Sequence, residues 1–226
     1  MDNNLLNQKH LRHRKPGNYD DKYSIKKAKN NTFILHACKL LKAYYDSTGI
    51  TALILDAEEM RTTDALLYLG PILKKIIIVE NNKDTYNKIK ETIESNELTD
   101  MIEIHNCLMD KYLQNDLDTK INVVYFDLNE SFFSSKVSYG SDWAINLFLS
   151  KSEVDEIVIG ITFCLRSRNV GNYDLEEKKI LLFLEKIFLG NGFKYKRLFT
   201  NDTRYRGQHA QNKALMFVFY FLQRYE

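Results

Sequence analysis

Proline and glycine are scarce, with two and nine residues in a chain of 226. That composition excludes a collagen-like or low-complexity chain. Three cysteines, Cys38, Cys107 and Cys164, stand far apart, with no C-x-x-C pair and no histidine at ligand spacing. They give no reason to expect a disulfide framework or a zinc site. No apolar run approaches the ~18 residues that a spanning helix needs. The longest extends from about Ile157 to Leu165, and the N-terminus has no apolar signal core. These absences predict a soluble protein of the cytoplasm or another intracellular compartment, without signal peptide, membrane span or metal.

What is present is globular composition: 44% hydrophobic and 27% charged residues. The length suits one large domain. A net charge of +2 conceals an asymmetry, because the first thirty residues hold eight Lys and Arg against three acids, leaving 24 basic and 27 acidic residues for the rest. Residues 1–30 are therefore predicted to form a basic, flexible N-terminal arm and residues 31–226 the folded domain. Such an arm can engage a polyanion, since each phosphate contact releases counterions. It reads equally well as a solvated leader.

Apolar residues Phe33, Ile34, Ala37, Leu40, Leu41 and Tyr44 recur at helical spacing. Ala52 to Asp56 is a short unbroken apolar run ending in an acid, as suits a strand buried on both faces of a parallel sheet. Lys75 to Glu80 repeats that design after a helix over Thr62 to Leu69. A helix follows over Asp84 to Glu94, then strands over Met101 to His105 and Ile121 to Asp127. The pattern continues with a helix over Asp142 to Leu149, a strand over Glu156 to Phe163 and a helix over Leu175 to Leu189. Alternating strands and helices predict parallel pairing with right-handed crossovers. The ending breaks the alternation: Phe193 to Phe199 and Ala214 to Leu222 read as consecutive strands, joined by a polar loop over Asn201 to Asn212. The expected fold is α/β, a doubly wound, seven-stranded, mostly parallel sheet with a C-terminal antiparallel hairpin strand and helices on both faces.

In this order of elements the chain, over about residues 32 to 222, resembles the class I, Rossmann-like S-adenosylmethionine-dependent methyltransferases. Ligands of open parallel sheets bind beyond the carboxyl ends of the strands. The resemblance implies S-adenosylmethionine as the cofactor, and that rule gives its place. Asp56, Ala57 and Glu58 follow the first strand where the family carries its glycine-rich turn; here Ala57, Glu58 and Glu59 stand in place of the glycines. Glu80 and Asn81 end the second strand, where an acid meets the two ribose hydroxyls through charge-assisted hydrogen bonds. Glu80 reads alternatively as a cap of the following helix. Asn106 and Cys107 follow the third strand, at the family's adenine position; Asn106 suits a plain turn as well. Asp127 and Asn129, at the end of the fourth, occupy the position facing the transferred methyl group, where Asp127 could orient an acceptor or act as base. The segment matches neither the D/N-P-P-Y/F pattern nor the Pro-Cys pair of nucleic-acid methylating relatives.

Two further loops fall on the same sheet edge. Arg166 and Arg168 lie in one, and Arg204, Tyr205, Arg206 and His209 in the other. Arginine beside an aromatic residue suits phosphate and base-stacking contacts. With the basic arm they point to a nucleic-acid acceptor, RNA being favoured, although long hairpin loops are also polar simply because they are wet. Cys107 and Cys164 read as packing residues rather than nucleophiles, and His36 and His105 as structural. The leading expectation is methyl transfer to RNA. Alternatives are a catalytically inactive methyltransferase-like binding or scaffolding subunit with a protein partner, and a different nucleotide-using Rossmann-like enzyme, against which the missing G-x-G-x-x-G and the final hairpin speak.

Overall fold

The structure is a computed structural model that describes residues 21–45, 49–115, 117–132, 140–165, 173–198, 204–206 and 214–225. Helix α1 (Asp21–Tyr45) leads into β1 (Ile50–Ile54), α2 (Arg61–Leu67), a single 3-10 turn (Gly70–Ile72) and β2 (Leu73–Val79). Next come α3 (Lys83–Ser95), β3 (Ile102–His105), α4 (Met109–Asn115), β4 (Val123–Ser131) and α5 (Ser141–Lys151). The chain closes with β5 (Glu156–Leu165), α6 (Tyr173–Gly190), β6 (Phe193–Leu198), β7 (Arg204–Arg206) and β8 (Ala214–Arg224). Helix α1 begins at Asp21, before the predicted domain boundary at residue 31, and residues 1–20 lie outside the described residues.

The sheet runs β3-β2-β1-β4-β5-β8-β6, with β7 paired to β8. Strands β1 to β5 pair in parallel, and β8 lies antiparallel between β5 and β6. The predicted architecture is thus present, with one addition: Arg204, Tyr205 and Arg206, expected within a hairpin loop, form the short strand β7 opposite Met216, Leu215 and Ala214. The chain reverses strand order beside β1, so the carboxyl ends of β1 and β4 flank the crevice where such sheets take ligands.

Side-chain alternation distributes the strands between two cores. Val124 and Phe126 of β4 join Ile159, Val218 and Tyr220 beneath Phe148 of α5 and Leu184 and Phe188 of α6. Val123 and Tyr125 join Val158, Phe217 and Phe219 beneath Ile34 and Leu41 of α1, Leu66 of α2 and Ile89 of α3. Because both faces are covered, the strands carry continuous apolar runs, which is why they were legible.

Gly160 sits between two aromatic rings on the second face. It is the register partner of Tyr125 on β4 and of Phe219 on β8, and those rings stack over it at 5.8 Å. A Cβ at this position would overlap the Phe219 ring and come within 2.8 Å of Tyr125 Cδ2. The glycine here makes room for the stack.

Polar groups buried on this face hold α1 to the sheet. The Tyr125 and Thr162 hydroxyls are 2.9 Å apart, and Asn30 Nδ2 donates to the Tyr125 hydroxyl at 3.4 Å. Asn31 Nδ2 donates to the Arg61 carbonyl, and the Thr62 hydroxyl donates to Asn31 Oδ1. Asn30, Asn31, Thr62 and Thr162 are all buried, so these bonds offset a desolvation cost that hydrophobic packing alone would leave standing.

At the opposite edge, Glu103 of β3 pairs with Lys75 of β2 and with His105, and the His105 ring packs on Tyr112 at 4.9 Å. The hydrogen bond from Lys75, followed by the charges of Lys75 and His105, holds the Glu103 carboxyl below its ordinary value. A depressed folded pKa contributes stability above the unfolded value of about 4.3, and that contribution disappears as pH falls through the folded value. In urea titrations the wild type is therefore expected to exceed Glu103→Gln in stability at pH 7, with the gap closing below about pH 4. A gap independent of pH would remove the ion pairs from the explanation.

Candidate active site

The loop after β1 turns without glycine. Asp56 Oδ1 accepts the Ala57 N–H at 3.0 Å, while Oδ2 accepts the Thr63 N–H at 2.8 Å and the Thr63 hydroxyl at 2.9 Å. The Met60 N–H closes onto the Ala57 carbonyl, and Met60 takes the left-handed conformation at φ 47° that a glycine would otherwise supply. Met60 is fully buried, so packing of its side chain holds the strained turn. Asp56 thus engages both oxygens within the chain and satisfies an orphan donor at the start of α2. Asp56→Ala is expected to cost about 1–2 kcal/mol in chemical denaturation, with Asp56→Asn intermediate. An unchanged midpoint in both variants would contradict the capping role.

Ala57 and Glu58 are exposed. Glu58 reaches across to α3, where its Oε2 accepts from Lys88 Nζ at 2.5 Å. That hydrogen bond and the charge of Glu58 raise the Lys88 pKa. The acidic pair in place of the glycines is therefore partly neutralised by a lysine thirty residues on. This pairing was not evident in the sequence.

The ends of β2 and β3 are clamped together. The Glu80 N–H donates to the His105 carbonyl at 3.0 Å, and Asn106 Nδ2 donates to the Glu80 carbonyl at 2.9 Å. Glu80 Oε1 accepts the Asn82 N–H at 2.6 Å, which fixes the carboxylate at the strand tip. The helix cap is Asn82, whose Oδ1 accepts from Asp84 and Thr85 at 3.0 Å each. Asn between a strand and a helix followed by Asp84 is a recognisable N-terminal signal. Asn81 and Asn106 are exposed, as is Leu108, an apolar side chain beside them. Cys107 is half-buried and packs against the α5/α6 core. Cys38 is fully buried, and desolvation pushes its thiol up to about 12, which keeps it from acting as a nucleophile.

Asp127 is half-buried on β4, in register with Thr162 of β5 and on the same sheet face as Tyr125. Strand β4 continues past it through Asn129 to Ser131, so the predicted strand end at Asp127 moves outward. Thr162 is in turn opposite Phe217 of β8, and β7 pairs with the adjoining residues Ala214 to Met216. The backbone of Arg204, Tyr205 and Arg206 consequently lies on the sheet edge that carries Asp127, three strand spacings or about 14 Å across. Arg166, Arg168 and His209 lie outside the described residues. Among the described residues no group of three or more His, Cys, Asp or Glu could hold a metal ion, and no helix is long and apolar enough to cross a membrane.

No protein-family model matches the chain, and no curated protein matches its sequence. Solved structures do match. PH1948 of Pyrococcus horikoshii, described as a proposed RNA methyltransferase, superposes with a TM-score of 0.57 at 15% identity, covering 99% of this chain and 98% of its own. TYW2 of M. jannaschii, solved in complex with AdoMet, gives 0.52 at 12% identity over 87% and 77%. PH0793 of P. horikoshii, described as a proposed transferase, gives 0.54 at 13% identity over 87% of this chain, which spans only 64% of that relative. At these identities the likeness speaks for architecture, and the strand order with β8 inserted antiparallel between β5 and β6 agrees with it. The chain has the class I, Rossmann-like methyltransferase fold.

Proposed function

We propose that the protein binds S-adenosylmethionine at the carboxyl ends of β1 to β3 and transfers its methyl group to an RNA acceptor. The observation that carries the reading is the Glu80 carboxylate, held at the tip of β2 with one oxygen on the Asn82 amide and Asn106 locking the backbone beneath it. A carboxylate fixed in this way is prepared to accept both ribose hydroxyls with its remaining lone pairs, without reorganising when the ligand arrives. Asn81 and Asn106 supply polar contacts to the nucleoside, and the exposed Leu108 supplies an apolar surface for the flat base. At the other end of the site, Asp56, Ala57 and Glu58 shape the turn. Ala57 and Glu58 are exposed, so the absence of glycine at these positions adds nothing to the packed interior.

The cofactor supplies an electrophilic methyl group on a sulfonium. What remains for the chain is to align the acceptor in line and, for an amine or hydroxyl, to take its proton. Asp127 is the carboxylate we assign to that work, with Asn129 as its neighbour in orienting the acceptor. Arg204, Tyr205, Arg206, Arg166, Arg168 and His209, together with the basic residues between Lys9 and Lys29, are assigned to the RNA backbone and bases. Support comes from the placement of β7 on the edge that carries Asp127, and from one structural neighbour described as a proposed RNA methyltransferase.

A second reading has its own observation. Asp56 engages both oxygens internally, and Glu58 is paired with Lys88, which are features a binding or scaffolding subunit with no cofactor would tolerate. Incubation with methyl-labelled S-adenosylmethionine and total cellular RNA separates the two. Transfer of label to RNA, lost in Asp127→Ala, is the result the catalytic reading expects. RNA binding without label transfer, unaffected by the cofactor, favours the scaffold.

A further inference from the structure

Helix α1 descends one face of the sheet from its carboxyl edge to its amino edge, since four residues separate Tyr45, its last, from Ile50, the first of β1. Near the upper end Asn30 reaches the Tyr125 hydroxyl and Asn31 the Arg61 carbonyl, and Tyr125 is opposite Ile54, the last residue of β1. The helix over residues 21–29, about two and a half turns, therefore extends past the carboxyl end of β1, over the cleft. Its phase follows from the packed part. Asn30, Ile34, Ala37, Cys38 and Leu41 are fully buried and define the stripe that meets the sheet. At about 100° per residue, Tyr23 and Lys27 fall within about 20° of Ile34 and continue that stripe, about 10 Å and 4.5 Å beyond Asn30. Lys22 and Lys29 fall about 120–140° away, in line with the exposed His36 and Leu40.

Strand β7 rises to the same height. It pairs with Ala214 to Met216, which stand opposite Phe163 to Leu165 of β5, just beyond Thr162 and its partner Asp127. Helix α1 packs against β5, β7 and β8. By register Tyr205 shares a sheet face with Leu215, Phe217, Thr162 and Asp127, the face that α1 covers. Arg204 and Arg206 alternate to the other face. We infer that Tyr23, Lys27 and Tyr205 form the wall of the acceptor cleft above Asp127 and grip one nucleotide of the RNA. Lys27 holds its phosphate and the two tyrosines its base, because a cation beside aromatic rings is the combination that binds a single-stranded nucleotide without reading its sequence. The inference rests on the RNA reading above, and it separates the residues at the cleft from the outer lysines.

The test uses the full-length protein and a short labelled single-stranded RNA, with binding followed by fluorescence anisotropy in the absence of cofactor. Tyr23→Ala and Tyr205→Ala are each expected to weaken binding about fivefold or more. Lys27→Ala should do the same and lower the slope of log affinity against log salt by about one. Lys22→Ala and Lys29→Ala remove the same charge from the outer stripe and should cost about twofold. Lys27→Arg and Tyr23→Trp keep the chemistry and should restore affinity, which a loss of folding would not allow. Equal losses at Lys22, Lys27 and Lys29 overturn the inference by reducing α1 to a diffuse positive charge, and full affinity in Tyr23→Ala overturns it as well; both leave the RNA reading standing. A wild type that binds no RNA overturns the two together.

Discussion

A Gly160→Val variant is expected to lose about 3 kcal/mol of stability, the upper part of the range for overpacking a filled core. For a domain of this size that lowers the melting temperature by roughly 6–12 °C. The reason is local and geometric. Tyr125, Gly160 and Phe219 are register partners on three adjacent strands, and the outer two stack over the middle one. A side chain at 160 must displace Phe219 or Tyr125. Moving Tyr125 also breaks its hydroxyl contacts with Thr162 and Asn30, which are buried. Gly190→Ala is the matched control, because nothing lies within 4 Å of a Cβ there. Its midpoint should be unchanged or slightly raised. Equal losses at both positions would mean that the ring stack is not what glycine serves at 160.

The second large effect is expected on ligand binding. Glu80→Ala should weaken S-adenosylhomocysteine at least 100-fold, about 3 kcal/mol, because hydrogen bonds to a charged acceptor contribute about 1.5–3 kcal/mol each and two are lost together. The same substitution removes from the folded protein one hydrogen bond, to the Asn82 amide, and should lower stability by only about 1 kcal/mol. The two readouts must therefore separate. If binding and stability fall in step, Glu80 is a structural cap with no part in recognition. Glu80→Gln retains the shape and loses the charge, so it should fall between the wild type and alanine.

The fold was legible because its signals are local. Strands β1, β2, β4, β5 and β8 each contain an apolar run buried from both sides, and helices alternate with the strands until the last pair, β6 and β8. Elements missed were those in which the signal was short. Helix α4 buries only Met109, Tyr112 and Leu113 over seven residues, and β7 is three residues long. The start of α1 was hidden because its first residues are polar, and Asn30 and Asn31 are buried through hydrogen bonds to Tyr125 and Arg61 rather than through hydrophobicity.

The site was legible in outline for a different reason: acids at the ends of apolar strands stand out. Their partners do not. Asp56 is bound by Thr63, seven residues away, Glu58 by Lys88, thirty away, and Tyr125 by Asn30, ninety-five away. Such pairings depend on the completed sheet, so the same sequence position could be read as a cofactor ligand or as a cap until the geometry was known. For Asp56 the geometry gives a cap. For Glu80 it gives a carboxylate fixed at the strand tip, with Asn82 capping the helix.

The central claim is that the glycine-free turn and Glu80 together form a working cofactor site. Isothermal titration of S-adenosylhomocysteine into the wild type and into Glu80→Ala measures it directly. The account predicts saturable one-site binding by the wild type, with a rise in melting temperature because the ligand stabilises only the folded state. It predicts a loss of at least about two orders of magnitude in the folded variant. No heat and no melting shift in the wild type, or equal affinity in the two proteins, would contradict it.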